Sequence, residues 1–205
     1  MKRICVIALI ILVTAQVQLA FAAPADVNKQ QTARVTVGSG DILSMEFAAA
    51  GDGVGIPNGG DITWTNVDPA AGNLIRPSNH VNGKLDTGVV VKHNSSSTNW
   101  YLKANISGGL VIGGVSRVKY YLPKPVNKNT GTDTNGTTVP ASPPGAGVDW
   151  PTIPTTATTL YTSNNDTINT PFGTLASFDV ALDPTSLVAG QTYTSTITLT
   201  ATVTP

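Results

Sequence analysis

From Tyr193 to Thr204 threonine stands at every second position: Thr194, Thr196, Thr198, Thr200, Thr202 and Thr204 alternate with Tyr193, Ser195, Ile197, Leu199, Ala201 and Val203. A period of two cannot serve a helix, whose turn of about 3.6 residues would scatter both sets around its axis. It is the pattern of a strand with one face in a core and the other in water. Tyr193, Ile197, Leu199 and Val203 are therefore expected inside. Threonine suits the wet face because it is both β-branched and polar. The row reads as the strand that closes a sheet, with an uncharged edge that a partner strand could join.

The same reading extends along the chain. After residue 22 no long apolar segment repeats at helical spacing, and 20 glycines and 14 prolines break the sequence into short pieces. "TARVTV" puts Val35 and Val37 on one face, and Ile42 opens a second strand. In "ITWTNV" Ile62, Trp64 and Val67 face inward; in "NWYLKANIS" Trp100, Leu102, Ala104 and Ile106 do. "LDTGVVVKHN", "GGLVIGGVSRVKYYL" and "SFDVAL" supply further strands. About seven to nine short strands separated by turn signals fit an all-β fold, an immunoglobulin-like or Greek-key β-sandwich.

The beginning of the chain has another character. Lys2 and Arg3, an apolar run from Ile4 to Val13, and small residues at Ala20 and Ala22 make a secretory signal peptide over residues 1–22, cut after Ala22. The apolar run is shorter than the ~20 residues that span a bilayer, so no membrane span is expected after cleavage. The protein is expected outside the cytoplasm: secreted, periplasmic or at the cell surface. Its one cysteine, Cys5, leaves with the leader, so stability must come from an apolar core without disulfides.

Residues 23–205 are enough for one β-sandwich domain. Losing Lys2 and Arg3 from 12 basic residues leaves 10 against 12 acidic ones, and only 12% of the chain is charged. No basic stripe is available to neutralise phosphates, which argues against nucleic acid as a partner. Residues 123–159, dense in Pro, Gly, Thr and Asn, cannot continue a central ladder and read as a flexible surface loop within that domain. Trp150 lies inside this loop, either as an anchor that pins it to the body or as a ring for stacking on a sugar.

Two stretches carry a resemblance. "NWYLKANIS" places Trp100 and Leu102 in a Trp-x-Leu after a polar turn, and "AGQTYTSTITLTATVTP" places Gly190 and Tyr193 in a Gly-x-x-Tyr before an alternating strand. Together they resemble WxL-domain proteins and a looser set of bacterial extracytoplasmic β-sandwiches, fimbrial and spore-coat-like modules among them. Where the family's second Trp-x-Leu would stand, this chain has Ile197, Thr198 and Leu199. Fimbrial subunits of the chaperone–usher type are similar in having an N-terminal extension and a terminal alternating strand, but they usually carry a disulfide and a penultimate Tyr, both missing here. The resemblance implies a structural or adhesive surface protein whose partners are cell-wall polysaccharide or other surface proteins.

Catalytic chemistry finds little to stand on. His80 and His93 sit in or beside polar turns and read as surface histidines, and no G-x-S-x-G or H-E-x-x-H occurs. Most aspartates adjoin Gly, Pro or Asn, where the carboxylate caps turns. "GDGVGIPNGGD", with Asp52 and Asp61, lacks the spacing of a calcium loop and reads as an ordinary turn. Trp64 and Trp100 read as core. The expectation is a non-enzymatic module with no catalytic residue, cofactor or metal; the alternative is a carbohydrate- or cell-wall-binding module that uses Trp150.

Overall fold

The computed structural model describes residues 25–35, 43–93, 99–138, 150–164 and 173–205, the first of these as backbone. The expected leader, residues 1–22, and Val37 and Ile42 lie outside the described residues. Thirteen strands follow in order among the described residues: β1 (Ala25–Val35), β2 (Leu43–Phe47), β3 (Ile62–Val67), β4 (Thr87–His93), β5 (Tyr101–Gly108), β6 (Val111–Ile112), β7 (Val115–Ser116), β8 (Val118–Tyr121), β9 (Val126–Asn127), β10 (Thr137–Thr138), β11 (Thr158–Thr162), β12 (Thr174–Leu182) and β13 (Tyr193–Thr202). One 3-10 turn, Ala50–Asp52, is the sole helical piece among the described residues. The fold is all-β, as the sequence led us to expect. No helix among the described residues is long and apolar enough to cross a membrane.

The strands form a six-stranded sheet in the order β10-β11-β5-β13-β1-β3 and a five-stranded sheet, β2-β4-β12-β8 with β9 also on β12; β6 and β7 make a small hairpin. Neighbours are antiparallel except β1 and β13, which run parallel. One apolar cluster draws on both sheets, with Ile62 and Trp64 from β3, Leu102 and Ile106 from β5, Ile197 and Leu199 from β13 on one side and Val89, Val118, Phe178 and Val180 on the other. Each of the two larger sheets contains strands from both sides of residues 123–159.

Period two does its expected work in β13. Ser195, Ile197, Leu199 and Ala201 are buried, while Thr194, Thr196, Thr198 and Thr200 keep some exposure; Thr202, expected on the wet face, is buried as well. Tyr193 and Val203, expected inside, are only half-buried, because the ladder to β5 begins at Ser195 and ends at Thr202. The expected closing strand is in fact interior: β5 takes one edge of β13 and β1 the other. β4 shows no alternation at all, with every residue but Lys92 buried. It lies between β2 and β12, which explains the continuous "GVVV" run.

The segment 123–159 is not the free excursion expected of it in its described parts. It contains β9, β10 and the start of β11, and it buries Thr134, Thr138, Trp150 and Ile153. Pro151 and Ile153 extend along the outer edge of β8, with Tyr120 N donating to Pro151 O (2.9 Å) and Ile153 N to Val118 O (2.8 Å). Gly136 is obligatory here, since a Cβ would collide with the Tyr161 hydroxyl, itself bonded to Thr134 Oγ1 at 2.7 Å. Residues 139–149 lie outside the described residues.

Candidate functional site

Two places stand out: the slot that β1 occupies, and a buried charged cluster beneath the segment that follows β3.

β1 lies between β13 and β3, paired parallel with the first from Val27↔Tyr193 to Val35↔Ala201 and antiparallel with the second through Val27↔Trp64 and Lys29↔Ile62. Residues opposite each other in register share a face of the sheet. Positions 29, 31, 33 and 35 are thus in line with Ser195, Ile197, Leu199 and Ala201, all at most 2% exposed. Two of those register positions belong to polar residues, Lys29 and Gln31. The β1–β3 ladder also carries an irregularity between Ala25 and Val27, opposite a stretch of β3 where Asn66 adopts φ 56°.

On the far side of β3 the edge is covered by loop side chains rather than a strand. Ser78 N donates to Thr63 O (2.7 Å), Thr65 N to Ser78 Oγ (2.8 Å) and Thr63 N to Asn79 Oδ1 (3.2 Å), while Asn79 Nδ2 reaches Asp61 O (2.8 Å). This is how natural sheets blunt an edge that would otherwise recruit another chain.

The charged cluster lies beside that cover. Asp86, fully buried, accepts from Val180 N at 2.9 Å and meets His80 Nδ1 at 2.7 Å; its own amide donates to Asp179 Oδ1 at 3.1 Å. Arg76 Nη1 stands 2.8 Å from Asp179 Oδ2 and 3.6 Å from Asp86 Oδ2. Burial pushes the Asp86 carboxyl above its ordinary value, helped by the Asp179 charge and opposed by the bonds from Val180 and His80. His80, Asp86 and Asp179 bring their donor atoms within 4.8 Å of one another, close enough to hold a metal ion. The Arg76 guanidinium already supplies the positive charge those carboxylates need, so the geometry is that of an ion-pair network.

Trp150 completes this corner. It is 3% exposed, stacked on Tyr121 with centroids 5.7 Å apart, and Arg76 lies over its ring at 4.6 Å. Both contacts use the ring, so it presents no open surface on which a sugar could stack. It is the anchor of its loop.

The positions of the family resemblance are not gathered into a site. Trp100 and Leu102 are core residues at one end of the β5–β13 ladder, Trp100 packing against Tyr161 at 5.0 Å. Gly190 (φ 76°) and Tyr193 lie at the other end, where the Tyr193 hydroxyl accepts from Val188 N at 2.8 Å. The histidines differ from expectation, since His93 is 1% exposed and His80 is held by Asp86. Asp52, Asp68 and Asp183 cap turns as expected, but Asp86 and Asp179 are buried. The available signal was Asp179 itself, a charge inside the apolar strand "SFDVAL". No protein-family model, curated protein or solved structure matches the chain.

Proposed function

We propose that the chain is a secreted or cell-surface structural and adhesive module, non-catalytic, built as one immunoglobulin-like β-sandwich over residues 23–205, and that it joins to copies of itself by lending β1. The observation that carries this reading is the place of β1. It lies second from the end of a six-stranded sheet, paired along both edges, and Lys29 and Gln31 are the Cα partners of Ser195 and Ile197. Withdrawing it leaves one edge of β13 and one edge of β3 unpaired, and an identical strand from a second copy restores every one of those bonds. Exchange of an identical element costs little beyond association itself. Main-chain pairing supplies the affinity and the alternating positions supply the register.

The wet face of β13 supports the same reading, since its threonines carry no charge to repel a neighbouring copy. Its export rests on the expected leader at residues 1–22. The His80–Asp86 pair, engaged by Arg76 and Asp179, supports a structural rather than a catalytic use of the histidine. A glycan-binding reading would need a surface other than Trp150.

A labelled synthetic peptide, ADVNKQQTARV, mixed with the full chain tests this proposal. Incorporation of the peptide, with a scrambled peptide excluded, is the expected result. Equal retention of both peptides, or of neither, overturns it.

A further inference from the structure

Where the segment before Ile75 meets the end of β12, the surface is hollow. Ile75 exchanges backbone bonds with Leu182 (2.9 and 2.8 Å) along one edge of β12, and β8 lies along the other, with Val118 opposite Leu182 and Lys119 opposite Ala181. Just beyond, Asp183 N donates to Arg117 O (2.8 Å), and the chain turns at Pro184, whose carbonyl accepts from Leu187 N (3.0 Å). These pieces enclose a cavity of about 320 Å³, its lining including Asn73, Leu74, Lys119, Asp183, Pro184 and Thr185. Small-molecule pockets begin at about 300 Å³, so the space suits a small ligand.

The charges around it do not balance. Two cations, Arg117 and Lys119, stand about one carboxylate, Asp183. Thr185 N donates to Asp183 Oδ1 at 3.0 Å, while Arg117 Nη1 is 3.8 Å from Oδ2, too far for a hydrogen bond. Arg117 is mostly covered and contributes charge rather than contact. Lys119 is half-buried and makes no ion pair among the described residues, which leaves its ammonium for an anion. The neighbouring groups suit hydroxyls. Asp183 accepts, the Thr185 hydroxyl gives or takes, and the Asn73 amide does both and bonds nothing else among the described residues. Leu74 and Pro184 add apolar surface for the C–H face of a ring.

We propose that this pocket binds a hexuronic acid residue of an acidic polysaccharide. The Lys119 ammonium takes the sugar's carboxylate, and Asp183, Thr185 and Asn73 take its hydroxyls. The proposal rests on the adhesive reading and names what the module adheres to, through a surface that does not involve Trp150. The pocket lies on the five-stranded sheet and β1 in the other, so sugar binding and strand exchange can fail separately.

Titration of the full chain with methyl glucuronide, followed by amide chemical shifts, tests it. Saturable shifts at Asn73, Lys119 and Thr185 are expected. Methyl glucoside, which differs only in lacking the carboxylate, is expected to bind about tenfold more weakly, the effect of one charge-assisted hydrogen bond. Lys119→Gln changes a half-exposed side chain and is expected to bind the two glycosides alike, at the weaker level. Acetate and inorganic phosphate supply a charge without the ring and are expected to leave these amides unmoved at the same concentration. No shift with methyl glucuronide, equal binding of both glycosides by the unmodified chain, full discrimination retained in Lys119→Gln, or the same shifts from acetate or phosphate would overturn the assignment.

Discussion

Lys29 and Gln31 are the residues on which the proposed strand exchange turns. Each occupies a register position beside a residue buried by the rest of the sheet, Ile62 for the first and Ile197 for the second. Replacing both with valine is expected to raise the melting temperature and slow uptake of the β1 peptide, because valine has the higher strand propensity. Peptide uptake that is as fast as in the unmodified chain would show that these positions do not limit release. Trp150→Ala removes a ring packed on Tyr121 and Arg76, and a loss of about 3–5 kcal/mol in chemical denaturation is expected. Retention on immobilised glycan that depends on Trp150 would contradict its role as an anchor. Two titrations carry a sign. Tyr120 is pushed up to about 12 by burial, so one tyrosine should ionise late in an alkaline absorbance titration. Asp86 lies above its ordinary value in the fold, so its contribution is present below about pH 4 and is lost as pH rises through the folded value. The wild type should therefore lose stability relative to Asp86→Asn on going from acid to neutral pH. Of these residues only Trp150 was visible as special in the sequence. Asp86 and His80 adjoin turns, and nothing local says that the chain folds them under Asp179, ninety-odd residues later.

Among the elements, those with a strict period were legible and those set by distant partners were not. β13 and β5 show their buried faces in the alternation of Ile197 and Leu199, and of Leu102, Ala104 and Ile106. What alternation cannot say is which strands lie alongside, and so β13 read as a closing strand when it is flanked on both sides. The parallel neighbour β1 was the hardest to see, since its polar residues hide the period and its pairing spans the length of the chain. The loop at 123–159 misled in the opposite sense. Its composition is that of a flexible excursion, yet Ile153 runs beside β8 and Thr134 bonds Tyr161. Cleavage engineered between residues 139 and 149 is expected to leave the two fragments together on a sizing column, because both sheets mix strands from either side. Fragments that part under native conditions would show that the sheets are not shared.

For the whole molecule, the topology determines what assembly could look like. Three of the outer edges are protected: β3 by Ser78 and Asn79, β8 by Pro151 and Ile153, and β10 by its two-residue length, with Asn164 Nδ2 reaching Thr137 Oγ1 at 2.8 Å. The interior slot is the place where a strand contributed by a copy can replace one already present at no loss of hydrogen bonds. Cys5 is the only cysteine, so an introduced thiol would be the sole one in residues 23–205. Thr32 and Thr198 are Cα partners in the β1–β13 register. The most direct measurement is to mix a Thr32→Cys chain with a Thr198→Cys chain, incubate, and add a short thiol cross-linker. Strand exchange predicts a covalent dimer joining one chain of each kind. If the mixture yields no such dimer, while the double variant cross-links readily within a single chain, β1 belongs permanently to its own sheet and the account of assembly is contradicted.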